Sequence, residues 1–177
     1  LTIQDVFEVP QNKSMELTGS DNGTLILGDK LTLAGMLKIN APDTLSGGTL
    51  ELKGGTLSVN ENYVIESAVT HIDNSSINVR SDKTLKYTGN EAEIGALKLT
   101  MSGGGFIDNS NDFALNNPDS KLTMNGIEIS KVSFTEDLTN GQLTVNNDSV
   151  IKNLTNSKSS RIDIENGDRL TVENSFE

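Results

Sequence analysis

The stretch Gly55-Thr-Leu-Ser-Val-Asn-Glu-Asn-Tyr-Val-Ile65 returns 86 residues later as Gly141-Gln-Leu-Thr-Val-Asn-Asn-Asp-Ser-Val-Ile151. Leu57, Val59, Val64 and Ile65 fall on Leu143, Val145, Val150 and Ile151. After one deletion the match continues at an offset of 85, taking Ile77, Val79, Leu85 and Tyr87 onto Ile162, Ile164, Leu170 and Val172. Every position read as inward stays apolar. Self-similarity at a fixed period marks a repeat architecture. An offset near 86 divides into about four coils of roughly 21–22 residues, so 177 residues hold about eight.

The working unit is apolar–polar–apolar. It appears as Leu31-Thr32-Leu33, Leu37-Lys38-Ile39, Leu50-Glu51-Leu52, Leu57-Ser58-Val59, Ile77-Asn78-Val79 and Leu97-Lys98-Leu99. Leu122-Thr123-Met124, Ile127-Glu128-Ile129, Leu143-Thr144-Val145, Ile162-Asp163-Ile164 and Leu170-Thr171-Val172 continue it. A period of two puts both apolar residues on one face of a strand and the polar one on the other. Gly, Asn, Asp and Ser fill the gaps, as residues that accept positive φ or bond their own backbone. A corner motif recurs at Gly28–Leu33, Ser81–Leu85, Asp119–Met124 and Gly167–Val172. The single candidate helix, Glu91 to Leu97, is interrupted by Gly95. Sandwich strands run longer between turns. These spacings predict an all-β chain, a single-stranded parallel β-solenoid forming one domain over residues 1–177.

Composition agrees with that geometry. Asn, Ser, Thr and Gly number 20, 18, 17 and 16, and hydrophobic residues make only 34%. A narrow stacked core needs few apolar residues, and corner asparagines can form amide ladders. With no Cys there is no disulfide framework, zinc–thiolate site or thiol nucleophile. A formal charge of −11, with 14 scattered Lys and Arg, argues against nucleic acid or an anionic membrane as partner. No apolar run is long enough for a spanning helix, and no membrane insertion is expected. The chain opens on Leu1 without the pattern of a secretion signal, and neither terminus carries an amphipathic capping helix. A fragment or subunit of a longer assembly is therefore expected, with open sheet edges at its ends.

Gly47-Gly-Thr-Leu-Glu-Leu-Lys-Gly-Gly-Thr-Leu-Ser-Val59 resembles the passenger regions of bacterial autotransporters and filamentous-haemagglutinin-type surface adhesins. Gly103-Gly-Gly-Phe-Ile-Asp108 is similar to a coil of pectin-lyase-like right-handed β-helices. The resemblance is one of texture over most of the chain. It implies a bacterial, exported protein, secreted or at the cell surface.

Few residues carry legible chemistry. His71 is the only histidine, and no triad-like Ser/Asp arrangement surrounds it, so it reads as a polar residue at a coil corner. Asp108, Asn109, Asn111 and Asp112 form a run of hard oxygen donors, with Asp108, Asn109 and Asp112 the calcium candidates. The run matches neither the EF-hand nor the nonapeptide calcium pattern, and an Asn/Asp-rich corner satisfying its own backbone is the preferred reading, with calcium the weaker one. Asp73-Asn74 and Asn146-Asn147-Asp148 read the same way. Outward carboxylates at Glu51, Glu128 and Asp163 are the raw material of a glycosidase or lyase. Only Arg80, Arg161 and Arg169 are available beside them, with no Trp to stack on sugars. Thr32, Thr123, Thr144 and Thr171 point outward, and a flat Thr ladder could bind ice or mineral. Neighbouring triads carry Lys, Glu, Ser or Asp, so they read as β-propensity. Asn12, Asn22, Asn74, Asn147 and Asn153 begin N-x-[ST] sequons.

The expected function is a non-catalytic extracellular structural or adhesive module, without cofactor except calcium, stacking end to end into a filament. Its expected partners are itself or a host or cell-surface glycan or protein. The alternative is a carbohydrate-active β-helix of tailspike or polysaccharide-lyase type, or a glycan-binding module.

Overall fold

The computed structural model describes residues 1–19, 23–95, 98–138 and 142–176, with His71 described by its backbone alone. Among the described residues there is no helix. Every pairing between named strands is parallel, and each strand pairs with those one coil before and after it. The result is a parallel β-solenoid of about eight coils.

Each coil has three faces. Face one is an eight-stranded sheet. It stacks Ser14–Thr18, Met36–Asn40, Thr56–Val59, Ser75–Val79, Lys98–Ser102, Lys121–Asn125, Gln142–Asn146 and Ile162–Ile164. The thirteen-stranded sheet wraps faces two and three. Thr24–Leu33 and Thr44–Lys53 bend around the corner and serve both. Tyr63–Ile65, Thr84–Tyr87 and Phe106–Asn109 belong to face two, and Ala68–Asp73, Ala92–Ile94 and Phe113–Leu115 to face three.

The inward column of face one runs Met15, Leu37, Leu57, Ile77, Met101, Met124, Val145, Ile164. Its steps are 22, 20, 20, 24, 23, 21 and 19 residues, so coil length is held near the expected period without being fixed. Leu37 to Val145 in this column are at most 3% exposed. The Leu, Ile, Val and Met of all three faces close on one another in a single core.

The longest step, the 24 residues from Ile77 to Met101, is followed at once by Gly103-Gly104-Gly105. Below it the inward pairs are Leu57/Val59 and Ile77/Val79; above it they are Leu99/Met101 and Leu122/Met124. The inward pair therefore moves two residues along the strand. Gly103 lies over Val79 with φ +109, and a Cβ there would sit 2.3 Å from the Val79 carbonyl oxygen. Only glycine accepts both that dihedral and that approach.

This shift revises the repeat. Four coils carry Leu57 to Val145 and Tyr63 to Ile151, an offset of 88, not 86. Val64 and Val150 are outward, and the inward partners on those strands are Tyr63 and Ile65, and Ser149 and Ile151. The candidate helix is also corrected. Ala92–Ile94 is a strand held between Phe113–Leu115 and Ile72, and tertiary pairing overrides its weak helical character. Ala96 and Leu97 lie outside the described residues. The recurring corner motif sits at three different corners: before face three at Gly28–Leu33, before face two at Ser81–Leu85 and Gly167–Val172, and before face one at Asp119–Met124. It solves a local bend and does not mark coil register.

Candidate functional site

A concave feature of the surface lies on face three. Ala68–Asp73 pairs with Thr44–Lys53 through a bulge: Glu51 opposes Thr70, while Lys53 opposes Asp73. One extra residue on a strand bends it and increases its twist. The next coil adds Glu91, Glu93 and Gly95. The resulting open groove of about 810 Å³ is lined by Glu51, Lys53, Thr70, Asp73, Glu91 and Glu93, together with the Asn90 and Asn116 side of the corner. Its carboxylates, ammonium and amides suit a hydroxyl-rich or cationic ligand. Among the described side chains that line it there is no aromatic ring. Glu51 is engaged by Thr32, whose hydroxyl donates at 2.7 Å, and by the Lys30 ammonium at 3.3 Å. Among the described residues no three His, Cys, Asp or Glu side chains converge as a metal site.

Glu51, Glu128 and Asp163, read together from the sequence as outward carboxylates, belong to faces three, two and one. Glu128 pairs with Lys152 at 2.9 Å, and Asp163 with Arg161 at 2.9 Å. Lys152 also lies 4.1 Å from the Phe106 ring centroid, and its hydrogen bond to Glu128 holds its pKa above the usual lysine value. Of the groove's other charged residues, Asp73 reads in the sequence only as part of an Asn/Asp corner, and Lys53, Glu91 and Glu93 are not singled out as site residues, because with Glu51 they come from three successive coils. Reading acidic residues at coil spacing, from Glu51 to Asp73 to Glu93, brings the three carboxylates together.

The calcium candidates separate on alternate faces of one strand and at the corner beyond it. Asp108 points outward and accepts from the Ser130 hydroxyl at 3.4 Å. Asn109 points inward and is 1% exposed. Its amide donates to the carbonyls of Asn111 and Lys131 at 2.8 Å each and accepts from the Lys131 N–H at 3.1 Å. It ties two coils together at a corner. Asn111 donates to Gly89 at 2.7 Å, and the Asp112 carbonyl accepts from Ala92 N–H at 3.0 Å. Asp148 accepts from Arg169, and the Asn147 N–H donates to Asp168.

His71 lies on the bulged strand of face three; its side chain is outside the described residues, as is Asn22. Asn12, Asn74 and Asn147 occupy left-handed turns with φ of 63, 46 and 63. Asn153 lies within a strand. Thr123 and Thr144 are neighbours on face one, while Thr32 is on face three and Thr171 on face two.

No protein-family model matches the chain, and no curated protein or solved structure is similar to it. The β-helix texture of the earlier resemblance is present in the fold; nothing in these comparisons supports an adhesin or autotransporter identity.

Proposed function

We propose that the chain is a non-catalytic, extracellular structural and adhesive module whose coils stack end to end on further coils of the same kind. The observation behind it is the state of the two outer coils. Phe7, Ile164 and Phe176 are 43%, 49% and 61% exposed, whereas their neighbours in the stack, Leu31, Val145 and Leu154, are fully covered. Each end also presents a strand edge with unpaired backbone groups on all three faces. Because all strands run the same way, the edge at one end complements the edge at the other. A head-to-tail contact continues the coil and does not close into a ring. On this reading the protein works secreted or at the cell surface, against itself or a host or surface glycan or protein.

Negative-stain electron microscopy of purified protein across concentration tests this. Rods that lengthen with concentration, with an axial repeat of one chain, support stacking. Single short rods at every concentration overturn it.

The face-three groove favours the second reading, a carbohydrate-active or glycan-binding β-helix. Release of reducing ends from acidic or neutral polysaccharides, abolished by Glu93→Gln with unchanged thermal stability, would establish it.

A further inference from the structure

Face one carries a regularity that the other faces lack. From Thr56–Val59 to Gln142–Asn146, five successive coils each place two side chains on the outer side of the strand: Thr56 and Ser58, Ser76 and Asn78, Thr100 and Ser102, Thr123 and Asn125, and at the upper border Thr144, only 8% exposed with its hydroxyl taken by Gln142, and Asn146. The rows are in register. Thr56, Ser76, Thr100, Thr123 and Thr144 form one; Ser58, Asn78, Ser102, Asn125 and Asn146 form the other. No register shift interrupts them, whereas the thirteen-stranded sheet contains several.

Parallel strands repeat at about 4.8 Å, and alternate residues along a strand at about 6.6 Å. The two rows are therefore a rectangular net of short hydroxyl and amide groups, about 19 Å long. The net is held in place. Leu57, Ile77, Met101, Met124 and Val145 anchor its backbone in the core. The Asn78 amide donates to the Ser102 hydroxyl at 3.0 Å, and Gln142 donates to the Thr144 hydroxyl at 2.7 Å. Thr side chains are stiff at χ1.

Charge decides what such a surface fits. The chain is 22% charged with a net charge of −11, yet none of these ten positions carries a charge. Charge begins only at the borders, with Lys98 and Lys121 beside the Thr row, Lys38 one coil below and Asp163 one coil above. An ionic mineral needs charged partners, and sugar rings favour aromatic platforms; the net offers neither. A neutral, periodic and rigid array of hydroxyls, methyls and amides complements a neutral periodic lattice of hydrogen-bonding oxygens. We propose that face one, from Thr56 to Asn146, binds the surface of ice. The Thr and Ser hydroxyls take lattice oxygen positions, the Thr methyls occupy the gaps between them, and the amide row widens the ordered contact. This surface acts independently of end-to-end stacking.

The test is ice affinity. Fluorescently labelled protein is offered to a slowly growing ice surface, and crystals grown in its presence are viewed for faceting. The wild type is expected to enter the ice and shape the crystals. The double variant Thr100→Lys/Thr123→Lys is expected to lose at least ten-fold in incorporated protein, while Thr171→Lys on face two retains it. Circular dichroism melts verify each fold. Where the double variant does not fold, Ser58→Lys takes its place and is expected to lower incorporation. Exclusion of the wild type from ice, or incorporation unchanged by lysines on face one, overturns the proposal. So does retention on crystalline cellulose or chitin with exclusion from ice, which would assign the net to a polysaccharide lattice.

Discussion

Two tyrosines are equally buried and should respond differently to the same change. Tyr63 and Tyr87 are each 1% exposed, one coil apart on face two. The Tyr87 hydroxyl accepts from the buried Val69 N–H at 3.2 Å and donates to the Asn90 carbonyl. Its ring packs on Phe113, centroids 5.7 Å apart. Tyr87→Phe keeps the ring and removes the hydroxyl, leaving Val69 without this acceptor. A buried donor left unsatisfied costs about 1–3 kcal/mol. Among the described residues the Tyr63 hydroxyl is buried with no hydrogen-bond partner. Tyr63→Phe removes a desolvated group and breaks no bond, so stability should hold or rise by about 1 kcal/mol. At about 2–4 °C per kcal/mol for a chain of this size, the two variants should separate by several degrees in Tm. Urea titration gives the same comparison without assuming a single thermal transition, which stacked coils do not guarantee. If Tyr63→Phe falls as far as Tyr87→Phe, the assignment of the two hydroxyls is refuted.

The same residues set an alkaline limit. Burial, reinforced by the Asp43 charge, pushes the Tyr63 pKa well above the ordinary 10.0, and burial also raises Tyr87. The folded chain keeps protons that the unfolded chain releases above about pH 10, so stability is complete below that pH and falls as pH rises beyond it; urea midpoints from pH 8 to 11 should show the fall, lessened in Tyr63→Phe. Gly103→Ala places a Cβ 2.3 Å from the Val79 oxygen at φ +109 and should cost at least about 2 kcal/mol, whereas Gly126→Ala, with nearest contact at 3.6 Å but φ +65, should cost about 1 kcal/mol. Asn109→Leu leaves the Lys131 N–H and two carbonyls without their side-chain partner, and equilibrium unfolding should register a loss of about 2–4 kcal/mol. Millimolar calcium should leave Tm unchanged, since Asp108 and Asn109 leave opposite faces of their strand; a saturable rise that disappears in Asp108→Asn would restore the calcium site.

The strands were legible because alternation is a local property: Leu57-Ser58-Val59 announces its own buried face. Coil length was legible because the sequence repeats at that length. Register was not, and the reason is geometric. A one-residue slip would turn every side chain over and be conspicuous, but a two-residue slip returns all of them to the same face. Aligning Leu57 with Leu143 instead of Val145 thus violated nothing visible in the pattern. The evidence for the slip was the triple glycine, whose meaning lies in its closeness to Val79 one coil below, and closeness between coils cannot be read along one strand.

Register also determines which outward residues can act together, so the same ambiguity governs the surface. Glu51, Glu128 and Asp163 look equivalent in their triads and end on three faces. Thr100, Thr123 and Thr144 look unremarkable beside Lys-, Glu- and Asp-bearing triads until the stack places Glu51 and Glu128 on other faces and Lys38, Lys98 and Asp163 at the borders of face one. Asn109 looked like a ligand because it follows an aspartate; alternation on the strand turns it inward, where backbone groups from the next coil use its amide. In a solenoid the inward pattern specifies the fold redundantly, coil after coil. The outward pattern acquires meaning only after the length of each coil has been assigned individually, because the steps here range from 19 to 24 residues. A site on such a protein is therefore a property of the coil lengths beneath it. Changing one coil by two residues would preserve the core positions while moving the hydroxyl rows past one another, and the face-one net would lose its order before the fold lost its stability.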